Sequence, residues 1–263
     1  MPQYGGTTLE IFDLLNEITR TVILPTNMYR LTSQIYNNKL YMPQYSGGGA
    51  TLEIFDLVNE TTRTVNLPNI AMARGTSQIY NDKLYMPSNG NTQLEIFDLI
   101  NETTRSINLP NSIGRVSSQI YNGKLYMPAT AGITLEIFDL VNETTRTVTL
   151  PNVSKNTNQI YNNSLYLPVN GGTNFVIFDL VNETSRMVTL LASASRATSQ
   201  IYNGKLFIPQ NNGITLEIFG LLNETSRVVT LPTNMSRYTS QFYNGKLYMP
   251  ENNGTTLEIY SEY

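Results

Sequence analysis

Residues 117–151 read SSQIYNGKLYMPATAGITLEIFDLVNETTRTVTLP, and near-copies of this stretch run end to end through the chain. The Leu-Glu-Ile-Phe core of the unit starts at Leu9, Leu52, Leu94, Leu135, Phe175, Leu216 and Leu257, in steps of 43, 42, 41, 40, 41 and 41 residues. Each unit contains four short segments of β type. In the last copy, Thr239–Tyr243 is followed by Asn244-Gly245, a dipeptide that tolerates positive φ at both positions and so suits a two-residue hairpin turn. Lys246–Met249 then runs to Pro250, which cannot donate to a ladder. A loop leads to a third strand, Thr-Leu-Glu-Ile-Tyr. The fourth strand is placed, in the preceding copy, at Arg227–Leu231, closed by Pro232. Other copies keep turn chemistry where they drift, as in Asn37-Asn38, Asn81-Asp82 and Asn162-Asn163. Apolar residues alternate in Thr-Leu-Glu-Ile-Phe, and no helical period competes. A period near 40 built from β segments marks a β-propeller with one four-stranded blade per repeat. The expected fold is all-β: a six-bladed propeller of four-stranded antiparallel blades, forming one domain over residues 1–263.

The segments Asn-Gly-Lys-Leu-Tyr and Glu-Ile-Phe-Asp-Leu resemble kelch repeats, in which a Gly-Lys-Ile-Tyr strand precedes a Val-Tyr-Asp strand. Arg237 sits where many kelch repeats carry an arginine. The kelch double glycine is replaced here by Met-Pro, and the kelch Trp by Val22, Val65, Ile107, Val148, Val188 and Val229. The tyrosine-valine-threonine-asparagine repeats of surface-layer propellers are similar to the same degree. Both resemblances imply a propeller, and a propeller hosts many functions.

Counting strands exposes a mismatch. First, second and fourth strands have six copies each, and third strands have seven, which makes 25 where six complete blades need 24. The last copy lacks a fourth strand, and residues 20–24 are expected to supply it, closing the ring with strands from both termini. Either the Leu9 strand or the Leu257 strand is then surplus. It would extend its own blade to five strands or add to a neighbour's exposed edge.

The chain has no Cys, no His and no Trp, and only 14% charged residues with a net charge of −3. Disulfides and thiolate sites are excluded. The commonest metal ligand and general base is missing. A nucleic-acid partner is not expected without a basic surplus. No apolar run is long enough to span a membrane. Residues 1–20 lack the layout of a signal peptide, so an extracellular location would follow only for a mature form or a fragment.

Carboxylates recur in register: Glu10, Glu53, Glu95, Glu136, Glu217 and Glu258 on third strands, and Asp13, Asp56, Asp98, Asp139 and Asp179 at their ends. A catalytic pair needs carboxylates in contrasting environments, so this repetition reads as structural. No enzymatic activity, no cofactor and no metal site are expected. The Asn-Glu-Thr segments at Asn59, Asn101, Asn142, Asn182 and Asn223 are formal glycosylation sequons, and they are also good turns.

Just before each first strand stands a cation: Arg30, Arg74, Arg115, Lys155, Arg196 and Arg237. Around a channel mouth these would form a site for anions or acidic glycans. Bonding to carbonyls or to carboxylates between blades is the preferred reading of the two. The first-strand glutamines, Gln34 to Gln241, are expected to make wall-forming hydrogen bonds. The Asn-Gly-Lys and Asn-Glu-Thr turns barely vary, whereas the loops after second strands and before first strands do. Tyr29, Tyr45 and Tyr238 lie in the variable class and could stack on a sugar or a partner side chain. The reading is a binding or scaffold module that recognises a protein or glycan through its variable loop face. Self-assembly into a filament or surface layer by sharing the surplus strand, and a carbohydrate-binding lectin, are the alternatives.

Overall fold

The computed structural model describes residues 4–29, 32–44, 51–68, 75–115, 117–130, 132–151, 156–169, 171–194, 197–251 and 254–261. The described residues form 25 strands and no helix, and the fold class is the six-bladed antiparallel propeller. It divides into two compact units, Met1–Met127 with Ile137–Arg146, and Pro128–Glu136 with Thr147–Tyr263.

The first two strands, β1 (Tyr4–Asp13) and β2 (Ile18–Tyr29), form a two-stranded sheet. The first complete blade follows in β3 (Gln34–Tyr36), β4 (Lys39–Pro43), β5 (Thr51–Asp56) and β6 (Thr62–Asn66). The second is β7 (Gln78–Tyr80), β8 (Lys83–Pro87), β9 (Asn91–Asp98) and β10 (Thr104–Ile113). The third is β11 (Gln119–Tyr121), β12 (Lys124–Pro128), β13 (Thr134–Asp139) and β14 (Thr145–Thr149). The fourth is β15 (Gln159–Tyr161), β16 (Ser164–Pro168), β17 (Gly172–Asp179) and β18 (Ser185–Ala194). The fifth is β19 (Gln200–Tyr202), β20 (Lys205–Pro209), β21 (Gly213–Gly220) and β22 (Ser226–Met235). The chain ends in a three-stranded sheet of β23 (Gln241–Tyr243), β24 (Lys246–Pro250) and β25 (Leu257–Ser261).

Local chemistry accounts for these elements. The two residues joining first and second strands have positive φ, for example 46° at Asn122 and 68° at Gly123, as a type I′ turn requires. Asn37-Asn38, Asn81-Asp82 and Asn162-Asn163 adopt the same geometry without glycine. Asn and Asp enter this region more readily than other side chains. Every second strand stops at its proline.

Third strands of the complete blades are buried on both sides because neighbouring blades stack on them. Phe175, Ile177 and Leu190 of the fourth blade pack against Leu206, Ile208, Phe219 and Leu221 of the fifth. The Phe175 and Phe219 rings meet edge to face at 5.0 Å. Full burial of each such side chain contributes roughly 1.5–3 kcal/mol, so the interface between blades, rather than strand propensity, carries the stability.

Three expectations need correction. Residues 20–24 do not complete the last sheet. They lie in β2, which pairs with β1 in the third-to-fourth-strand register, Leu9 opposite Val22 as Leu52 is opposite Val65. Among the described residues no sheet has five strands, and no ladder joins the two termini. Nor does proline end every fourth strand: β22 continues through Pro232 to Met235, which pairs with Gly213 after a register shift. Strand four is the outer edge of its blade, so the missing N–H of proline costs no ladder bond there.

Candidate functional site

Each blade has two chemically different ends. At one end the first-to-second turn and the third-to-fourth turn are bonded to each other: Leu57 N–H donates to Asn38 O, and Leu99, Leu140, Leu180 and Leu221 repeat the bond to their own turns. The aspartate closing strand three shapes the second turn. The Asp56 carboxylate accepts from the N–H groups of Val58 and Asn59, both at 2.9 Å, and from Asn59 Nδ2 at 3.3 Å. Asp13, Asp98, Asp139 and Asp179 do the same. Donation by the Asn59 and Val58 amides holds the Asp56 carboxyl below its usual range. At Asp13 the largest cause is the side chain of Asn16.

The sequon residues Asn59, Asn101, Asn142 and Asn182 thus use their side-chain amides inside the turn. At Asn223, where Gly220 replaces the aspartate, Oδ1 instead accepts from Thr225 N–H. The glutamate of each Asn-Glu-Thr turn has φ between 54° and 57°. Its carboxylate pairs with an arginine of the preceding fourth strand, in Arg20–Glu60, Arg63–Glu102, Arg105–Glu143 and Arg186–Glu224. These pairs are half-exposed and are worth about 0–1 kcal/mol each. One aliphatic residue per turn stands in solvent, from Val58 to Leu222, the latter 97% exposed.

Segments entering first strands bond one blade to the next at four places. Thr32 bonds Ser77, Thr76 bonds Ser118, Thr157 bonds Ser199 and Thr198 bonds Ser240, each hydroxyl to hydroxyl at 2.7–2.8 Å. Gln34, Gln78 and Gln159 donate Nε2 to the next blade's serine carbonyl. Here the glutamines make the wall bonds expected of them.

The other end carries loops that differ between copies and, among the described residues, Arg115 and Arg237. Arg115 and Arg237 do not face solvent: both are fully buried. Arg115 Nη1 donates to Ser88 O (3.1 Å) and Asn91 O (2.5 Å), and Nη2 to Asn111 O. Arg237 Nη1 donates to Gln210 O (3.0 Å) and Gly213 O (2.6 Å), and Nη2 to Thr233 O (2.7 Å). Its Nε and Nη2 also donate to Glu258 Oε2, at 3.0 and 2.5 Å. Asn211 Oδ1 accepts the Arg237 amide at 2.8 Å. One guanidinium therefore pins the loop after β20, the end of β22 and strand β25.

Arg115 and Arg237 thus show the bonding to carbonyls, and at Arg237 to a carboxylate, rather than an anion site at a channel mouth. Arg30, Arg74, Lys155 and Arg196 lie outside the described residues, as do Tyr45 and the side chain of Tyr29. The buried Glu258 is the partner the sequence reading missed. Its signal was present: a third-strand glutamate follows the link arginine by 21 residues at Arg74, Arg115, Arg196 and Arg237 and by 23 at Arg30, while the copy with Lys155 has Val176 instead. Arginine and glutamate vary together.

Around the Arg237 clamp the surface is made by residues that the clamp does not use. Tyr238 (48% exposed), Asn212, Ile214 at the start of β21 and Asn234 near the end of β22 stand in solvent. In the second blade, Ser112 Oγ donates to Gly90 O across the same pair of loops.

No family model and no curated protein matches the sequence. Solved structures share the fold. Virginiamycin B lyase from Staphylococcus aureus is 13% identical with a TM-score of 0.74, covering 88% of this chain and 83% of that one. A streptogramin B lyase is 12% identical with a TM-score of 0.73, covering 89% and 84%. The computationally designed Ika8 protein is 10% identical with a TM-score of 0.70, covering 99% and 92%. Likeness at this identity carries the fold alone, and the kelch resemblance has no family match behind it. The expectation of a chain without enzymatic activity is corrected by the lyases: the same propeller serves catalysts, so the fold does not exclude chemistry.

Proposed function

We propose that this chain is a recognition module, a propeller frame that presents exposed side chains from loops differing between repeats. The observation that carries this reading is the contrast between the two ends of each blade. At the turn end, the same bonds recur blade after blade. At the other end, buried Arg115 and Arg237 bond the loop carbonyls of the second and fifth blades, while the outward residues differ between copies. Tyr238, Ile214, Asn212 and Asn234 supply one aromatic ring, one aliphatic group and two amides, a mixture suited to a protein or glycan surface. Loops already fixed by Arg237 lose little entropy on binding, which favours affinity.

The test is an array of glycans and displayed peptides, probed with the parent and with the triple variant Asn212→Gly, Ile214→Thr and Tyr238→Ser. A genuine ligand loses at least tenfold in affinity, equivalent to about 1.4 kcal/mol, while thermal unfolding is unchanged. Ligands that bind the triple variant as well as the parent, but are lost on Val58→Thr with Leu222→Thr at the turn end, would reject the reading.

A further inference from the structure

Five turns between third and fourth strands carry an Asn-Glu-Thr sequon, and four of them lock its asparagine. Asn59, Asn101, Asn142 and Asn182 each donate Nδ2 to the aspartate three residues earlier, at 3.3, 3.3, 3.2 and 2.8 Å. An amide held in this way reaches a reagent only by giving up a bond to a charged acceptor.

The fifth turn keeps the backbone and loses the lock. Glu224 N–H donates to Gly220 O and Gly220 N–H to Thr225 O, just as Glu60 donates to Asp56 O and Asp56 to Thr61 O. The sequon glutamates match as well, with φ of 54° at Glu224 and 55° at Glu60. With glycine at 220, the Asn223 side chain folds back over the turn. Its Oδ1 lies 2.2 Å from the place a Cβ of residue 220 would take, and it accepts from Thr225 N–H at 3.3 Å. Among the described contacts, Asn223 Nδ2 has no acceptor and the Thr225 hydroxyl has no partner. A sequon needs that amide and the hydroxyl two residues on, and here both are open. Asn223 is exposed, and its neighbour Leu222 is 97% exposed.

Two other described sequons have their hydroxyl engaged. Ser236 of Asn234-Met235-Ser236 donates to Asn211 Oδ1, and Ser164 of Asn162-Asn163-Ser164 is hydrogen-bonded to Tyr166. The sequons at Asn152 and Asn253 lie outside the described residues.

We propose that Asn223 is the preferred N-glycosylation acceptor among the described sequons of this chain. The donor is an oligosaccharide carried on a polyprenyl diphosphate. Asn223 Nδ2 attacks the anomeric carbon, and a C–N bond forms as the C–O bond to the diphosphate breaks. The electron pair of that bond leaves with the diphosphate, and one amide proton passes to a base of the transferase. Asn223 lies at the end of β21 and β22 away from Ile214 and Asn234, so the inference is independent of the loop-face reading.

The folded protein is incubated with a purified oligosaccharyltransferase and its lipid-linked oligosaccharide, and early occupancy of each sequon is read by peptide mass spectrometry. The transferase is chosen to modify free peptides spanning each of the five turns. All five sites compete in one molecule. Asn223 should be modified about tenfold faster than Asn59, Asn101, Asn142 or Asn182, the factor for releasing a bond to a charged acceptor. Gly220→Asp should bring Asn223 down to the level of the other four, and Asp139→Gly should raise Asn142 to that of Asn223, with circular dichroism showing each variant folded. Equal rates at the five sites of the folded parent would overturn the proposal. So would the same tenfold preference among the free peptides, which would place the difference in sequence rather than in the folded turn.

Discussion

Replacing Arg237 by alanine should be among the most damaging single changes to this protein. The side chain is fully buried, shares two donors with Glu258 and supplies the donors for Gln210 O, Gly213 O and Thr233 O. Its removal leaves a carboxylate in the interior without its cation, and carbonyls without donors. Breaking a buried pair from one side costs about 3–5 kcal/mol. For a chain of this size that corresponds to a fall in melting temperature of roughly 6–20 °C.

The chain supplies its own control. The repeat with Lys155 carries Val176 in place of glutamate, so the double change Arg237→Lys with Glu258→Val copies a combination the sequence already holds. Removing the carboxylate together with the fork should cost less than the alanine variant, within about 2 kcal/mol of the parent, because no charge is stranded. Urea unfolding followed by circular dichroism, with refolding checked, measures both. An alanine variant within about 1 kcal/mol of the parent would refute the clamp. So would a double variant as unstable as the single one.

The turn aspartates predict a pH dependence. Their carboxyls are held below the ordinary value, near 3.9, so their contribution is complete above that value and is lost as pH falls through the lowered ones. Stability should decline from about pH 5 downward, and a profile flat from pH 5 to 2 would contradict the turn model. Phe219→Ala should cost about 3–5 kcal/mol, since the ring is fully buried between Phe175 and its neighbours; chemical denaturation reads this directly. At Glu102, with φ of 55°, valine should destabilise by about 1–2 kcal/mol. Glycine there should be near neutral, relieving the backbone while losing the exposed Arg63 pair. Equal effects of the two substitutions in thermal unfolding would count against backbone strain.

Period and turn chemistry were legible because they are local. The spacing of Leu-Glu-Ile-Phe gave the blades, and Asn-Gly with its Asn-Asn and Asn-Asp variants gave the turns, since both depend on residues adjacent in sequence. Pairing of the terminal strands was not legible. Thr-Thr-Leu-Glu-Ile at residues 7–11 and again at 255–259 fits the same place, and a pattern that recurs cannot say which copy occupies it. The arginines were legible only as a choice between two readings. A cation in a link reads alike whether it faces solvent or carbonyls, and only its joint variation with the third-strand glutamate, broken together at Lys155 and Val176, distinguishes the two. Pro232 misled because proline blocks a ladder bond only on the side where a partner strand lies.

Hydrogen exchange of the full chain at the Arg237 clamp tests the central claim most directly, because both the loop-face reading and the structural role of this arginine depend on pinned loops. Peptides covering 210–213 and 233–237 should exchange as slowly as those covering β20 and β21, and Arg237→Ala should release them while leaving the type I′ turn at Asn203-Gly204 unchanged. Exchange at those loops as fast as at an unprotected segment in the parent protein would contradict the account.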